Sequence, residues 1–171
     1  DPQIIGGQGT IGIELMQQLK TIDYVLVTVG GGGLIAGIAT FVKYISPETK
    51  IIGCLPSRSP EMALSVKAGK IIELDNPQET ISDGSAGGVE PDAITFPICQ
   101  ALVDDFILVE EDEIKAAIKL VVNEHHKIIE GAAGVAVASF IKEANRFEGK
   151  TVAIIICGSN IATEKLVEII Q

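Results

Sequence analysis

Short β-branched runs alternate with amphipathic stretches along this chain. Tyr24 to Val29 (YVLVTV) runs directly into four glycines and predicts a buried strand. Leu34 to Ile45 follows as a helix, with Ile35, Ile38, Ala39 and Val42 at helical spacing. Lys50 to Leu55 (KIIGCL) predicts a second strand, stopped by Pro56, and Ser59 to Ala68 a second helix. Asp105 to Val109 (DFILV) is a short strand. Glu111 to Lys127 carries an apolar stripe of Ile114, Ala117, Ile118, Val121 and Val122. Glu110, Glu111, Asp112 and Glu113 crowd its first turn, where carboxylates favour the helix dipole. Gly131 to Phe147 reads as an alanine-rich helix, Thr151 to Ile156 (TVAIII) as the last strand, and Thr163 to Ile170 as the closing helix.

Strand and helix in alternation imply an α/β fold: a doubly wound, mainly parallel sheet with helices on both faces. Ligands of such sheets sit at the carboxyl ends of strands, which is where the polar, glycine-rich segments fall here. The longest irregular stretch is Asn76 to Thr95, with Pro77, Gly84, Gly87, Gly88 and Pro91, and a loop of that length is often functional. The chain shows no internal repeat and no low-complexity linker.

Composition narrows the partners. The 171 residues fit one domain, 47% hydrophobic and 21% charged, with a mean hydropathy of +0.38. Aromatics are 4% and Trp is absent, so the core must be aliphatic, as in helix-covered parallel sheets. A formal net charge of -10 gives no basic face for nucleic acid. No apolar run reaches the roughly 18 residues of a membrane span, and no signal peptide is visible, so the expected location is cytoplasmic. Cys54, Cys99 and Cys157 are odd in number and widely spaced, which fits a reducing compartment better than a disulfide framework. The first residue is Asp1 rather than Met, which leads us to expect an amino terminus removed or left out.

Several constellations could carry chemistry. Gly30, Gly31, Gly32 and Gly33 stand between a strand and the helix opened by Leu34. Glycines let the backbone approach an anion, and the helix start supplies unpaired N–H groups, so together they can form a phosphate cup. A tight strand-to-helix turn is the alternative. The run is neither GxGxxG nor a P-loop. Cys157-Gly158-Ser159-Asn160 ends the last strand; its thiol can hydrogen-bond a ring nitrogen, or simply be an inert core cysteine. Glu130-Gly131-Ala132-Ala133-Gly134 places one carboxylate before a small-residue helix, where it could equally be a cap. Gly7-Gln8-Gly9-Thr10 predicts a turn into a helix, and Ser82-Asp83-Gly84-Ser85 lies in the long loop. His125 and His126 are about 100° apart on a helix and cannot share a metal as an i, i+4 pair would. Cys99 reads as core, and Arg58 and Arg146 are isolated.

Six segments in order, GGQGTIG (Gly6 to Gly12), VGGGGLIAG (Val29 to Gly37), ETISDG (Glu79 to Gly84), VEEDEI (Val109 to Ile114), EGAAG (Glu130 to Gly134) and CGSN (Cys157 to Asn160), resemble the pyridoxal-5'-phosphate (PLP) dependent serine/threonine dehydratase and serine racemase family, of fold type II. The resemblance covers essentially the whole chain. It implies the carboxy-terminal part of the large PLP-binding domain. Gly30 to Gly33 and the amide of Leu34 would hold the cofactor phosphate, and Cys157 would face the pyridine nitrogen. Glu130 would sit near the ring, Gly84 would line the cofactor from the long loop, and Asn160 would order the turn after Cys157. A neutral partner at the ring nitrogen suits β-elimination.

Two departures accompany the resemblance. The family's Schiff-base lysine follows a Ser-Phe-Lys type motif, and none of the eleven lysines here does. The catalytic lysine and the small mobile domain are therefore expected in a segment upstream of this chain. In some members a Glu just before Pro-Ser leads a divalent cation site; Leu55 stands there, leaving only Glu61, so no metal is expected. The reading is an ammonia-lyase turning L-threonine or L-serine into a 2-oxo acid and ammonia, a homo-oligomer at full length. Alternatives are serine racemase or another amino-acid β-eliminating enzyme, and a non-catalytic α/β domain binding a phosphorylated ligand. The β-replacing cysteine synthases are disfavoured, because their phosphate loop mixes Thr with Gly.

Overall fold

A computed structural model describes residues 1–75 and 78–171; Asn76 and Pro77, at the start of the expected long loop, lie outside the described residues. Four strands form one parallel sheet: β1 (Tyr24–Thr28), β2 (Lys50–Pro56), β3 (Asp105–Val109) and β4 (Val152–Ile154), in the order β3-β2-β1-β4. Val25 pairs with Ile51 on one side and Ala153 on the other, which makes β1 an internal strand.

Side chains alternate across the sheet, and each face has its own core. Leu26, Ile52, Cys54, Ile107 and Val109 pack under α5 (Glu111–His125), α6 (Gly131–Lys142) and α7 (Thr163–Ile170). Val25, Val27, Ile51 and Leu55 pack under α1 (Pro2–Gln18), α2 (Gly33–Ile45), α3 (Glu61–Ala68) and α4 (Thr95–Leu102). Both layers are almost wholly aliphatic. Among the described residues no helix is long and apolar enough to cross a membrane.

The expected elements are present with shifted ends. β1, β3 and α7 fall where the hydrophobic pattern placed them, within a residue. The second expected helix begins at Glu61, because Pro60 precedes it, and the last strand shrinks to three residues. The helix expected over Gly131 to Phe147 ends at Lys142 and is followed by a 3-10 turn, Ala144–Phe147. α4 takes up the end of the long loop.

The expected turn at Gly7-Gln8-Gly9-Thr10 is instead the interior of α1, which starts at Pro2 with Asp1 as N-cap, its carboxylate accepting from Gln3 N at 2.7 Å. Packing overrides glycine's low helix propensity here. A Cβ on Gly37 would lie 2.7 Å from Gly9 N and against the Ile5 carbonyl, so α1 and α2 touch backbone to backbone.

Candidate active site

The carboxyl end of β1 leads through Val29 into the glycine run, and β4 ends beside it. Ile155 N still bonds Leu26 O at 3.0 Å, so the chain leaves the sheet immediately before Cys157. The adjacency of β1 and β4 therefore brings Gly30 to Gly33 and Cys157 to one place. A cleft of about 260 Å³ lies there, lined by the glycine run, Leu34, Gly84, Glu130 and Cys157, with Thr28, Ser85 and Ala132 beside them.

The glycine run is shaped from below. Gly32 has φ 84°, a left-handed conformation that favours glycine, and caps α2. Thr95 donates from Oγ1 to Gly31 O at 2.6 Å. The first bond within α2 is Ala36 N to Gly32 O at 2.9 Å, so the amides of Gly33, Leu34 and Ile35 precede it at the positive end of a 13-residue helix. A Cβ on Gly31 or Gly33 would meet nothing within 4 Å, whereas one on Gly30 would strike Ser85 O at 2.8 Å.

Glu130 precedes α6. Its amide donates to Gly158 O at 3.1 Å, and its Oε2 accepts from Asn160 N at 2.9 Å. Asn160 thus acts through its backbone and is not among the residues lining the cleft. A Cβ on Gly158 would collide with the Glu130 carboxylate, and one on Gly84 would lie 3.3 Å from its Oε1. Glu130 does not cap α6 with its side chain; the carboxylate instead ties the CGSN turn to the cleft. The Cys157 thiol is pushed above its ordinary value, first by desolvation and then by the negative charge of Glu130, so it stays neutral at physiological pH. At the floor, buried Thr28 donates from Oγ1 to Ala132 O at 2.6 Å, fixing the start of α6 on β1.

All nine expected site residues fall in or around this one cleft. Thr28 was missed, although it closes the strand before the glycines; Ser85 lies in the Ser82-Asp83-Gly84-Ser85 segment beside Gly84. No lysine lines the cleft among the described residues. Leu55 is buried in the apolar core, and Glu61 accepts from Ser59 Oγ at 2.6 Å. Leu55 has no side-chain oxygen to offer a cation at this turn. α5 ends at His125, and His126 is its left-handed C-cap with φ 53°, so the two do not share a helix.

Comparison with known proteins points the same way. The chain is 44% identical over 97% of its length to threonine dehydratase 2 of Solanum lycopersicum, covering 28% of that protein. It is 38% identical over 94% of its length to serine racemase of Homo sapiens, covering 48% of it. It therefore spans less than half the length of these curated relatives. The structure superposes on the processed form of threonine deaminase isoform 2 from Solanum lycopersicum with a TM-score of 0.93 at 43% identity, covering 99% of this chain and 49% of that one. Residues 1–158 match the family model of pyridoxal-phosphate dependent enzymes, and the chain belongs to that family.

Proposed function

We propose that the full-length protein is a PLP-dependent ammonia-lyase that converts L-threonine or L-serine to a 2-oxo acid and ammonia, as a cytoplasmic homo-oligomer. The observation that carries this reading is the glycine run meeting a neutral thiol across one cleft. The residues present fit the cofactor. Gly31 and Gly33 leave open space where any side chain would intrude, beside unpaired amides at a helix start. Those amides, with the Leu34 amide, would bind the phosphate. When bound, the cofactor draws electrons from Cα of the amino acid, so that a β-hydroxyl can leave.

The chain's own residues would orient that group. Cys157, kept protonated, would offer the pyridine nitrogen a neutral partner, which favours elimination over longer-lived charge at Cα. Glu130, held by the Asn160 amide, would stand beside the ring, with Gly84 next to its carboxylate and Ser85 also lining the cleft. The proton at Cα requires a base within hydrogen-bond reach, and a lysine from an upstream segment would supply it.

Ammonia and 2-oxo acid release by the full-length protein with L-threonine and L-serine tests the assignment. Residues 1–171 alone, with PLP added, should release none. Turnover by residues 1–171 that disappears on replacing one of their own lysines would place the base in this chain and overturn the division. The identity to serine racemase supports a second reading, distinguished by D-serine accumulating from L-serine in the same assay.

A further inference from the structure

Gly84 and Ser85 line the cleft but belong to an irregular segment with no strand or long helix to hold it. Something must fix them there. Glu111, the first residue of α5, does so with both carboxylate oxygens. Thr80 donates from Oγ1 to its Oε1 at 2.6 Å, and Ile81 N donates to its Oε2 at 2.7 Å. Thr80 Oγ1 in turn accepts from Ser82 N at 3.1 Å. Beyond this clamp the segment runs hard against α6, where a Cβ on Gly131 would overlap the Ile81 carbonyl. It then makes one 3-10 turn, Asp83–Ser85, closed by Ser85 N to Ser82 O at 3.0 Å, and its Ser85 backbone presses on Gly30. Arg58 Nη1 to Glu79 O at 2.9 Å and Lys165 Nζ to Asp83 Oδ2 at 3.1 Å add two pins, but both join exposed groups.

From this geometry we propose that Glu111 is a positioning residue for the cofactor cleft: it tethers Thr80 and Ile81 so that Gly84 and Ser85 stand docked before any ligand arrives. The proposal rests on the reading of the cleft as the PLP site. Without the tether the segment samples undocked positions, and apparent affinity falls by the fraction of time it is docked. Glu111 itself lines the outer groove with Arg58 and Lys115, not the cleft, so it acts through the segment alone.

The test compares Glu111→Ala and Glu111→Gln in the full-length protein. Glutamine can accept from Ile81 N with its oxygen and donate to Thr80 Oγ1 with its nitrogen, so it can keep both links without the charge. PLP affinity, read by equilibrium titration, should weaken about tenfold in Glu111→Ala and stay near wild type in Glu111→Gln. Amide hydrogen exchange at residues 81–85 should accelerate in the alanine variant only. Thr80→Val, which removes one of the two links, should be intermediate, and it decides the matter if Glu111→Ala does not fold. Unchanged PLP affinity and unchanged exchange in Glu111→Ala overturn the proposal. So does equal weakening in both Glu111 variants, since charge and not tethering would then be responsible. If the wild type binds no PLP, the reading of the cleft fails, while the exchange contrast still judges the tether.

Discussion

Gly31 and Gly32 are neighbours with opposite reasons for being glycine, and replacing each by alanine should separate ligand binding from stability. At Gly32 the backbone is left-handed, which costs a non-glycine residue about 1–2 kcal/mol. The new Cβ would also lie 2.8 Å from Met62 Cε and 3.1 Å from both Cys99 Sγ and Thr95 Cβ. Met62 Cε is the end of a flexible side chain, but it must shift inside a fully buried core beside Cys99 while Thr95 Cβ is fixed by its backbone, which adds about 1–3 kcal/mol of overpacking. Gly32→Ala should therefore cost about 2–5 kcal/mol and lower the unfolding midpoint by several degrees. At Gly31 the φ is ordinary and the Cβ meets nothing, so alanine should leave the ligand-free protein as stable as wild type, or more stable by about 0.4–1 kcal/mol through the unfolded chain. If the glycine run holds the phosphate as proposed, the same methyl would occupy that space and should weaken PLP binding at least about tenfold, or ~1.4 kcal/mol. Thermal unfolding without PLP and a PLP titration on each variant read the two effects. Wild-type affinity in Gly31→Ala would refute the phosphate reading of that open space. Equal destabilisation in both variants would refute the conformational argument.

Four other outcomes are expected. A raised pKa means little thiolate near neutral pH, so iodoacetamide should modify Cys157 slowly and faster as pH rises; Glu130→Gln removes a negative neighbour, lowers that pKa and should speed the reaction at fixed pH. Burial pushes Cys54 and Cys99 up to about 12, so both should resist modification until the protein unfolds. Partial burial raises the Asp104 pKa, but hydrogen bonds from Lys43, Ile51 N and Lys50 outweigh it and hold the group below its ordinary 3.8. The resulting stabilisation is present above that value and lost as pH falls through the folded pKa, so Asp104→Asn should cost on the order of 1 kcal/mol at pH 7 and converge with wild type in acid. Gly37→Ala must part α1 from α2 and should cost about 3 kcal/mol in denaturant unfolding; an unchanged midpoint would mean that the two helices separate freely.

β1 and β2 were legible because they are buried on both faces and rich in Ile, Val and Leu, and α5 because its stripe repeats at helical spacing. The cleft was legible because its parts sit at strand ends, where a parallel sheet gathers them. α1 was harder to read: Gly6, Gly7 and Gly9 signal a turn locally, and only contact with Gly37, distant in sequence, makes a helix worthwhile. The role of Glu111 was hidden for a related reason. Four acidic residues in one helix turn all satisfy the dipole, and nothing local tells which of them reaches another segment. Asn160 reaches Glu130 through its backbone amide, a contact that no side-chain signal announces.

The position of β4 sets when the cleft can exist during synthesis. Asp23 at the head of β1 accepts from Thr151 N across 128 residues of chain, and Thr28 reaches Ala132 across 104. The glycine run is synthesised more than 120 residues before Cys157 and Asn160, which bear the far wall and the Glu130 anchor. A nascent chain stopped before Val152 could pair β1 with β2 and β2 with β3, yet would leave one edge of β1 unpaired and the cleft without a wall. The cleft therefore cannot be completed until β4 and the CGSN turn have followed the glycine run out of the ribosome.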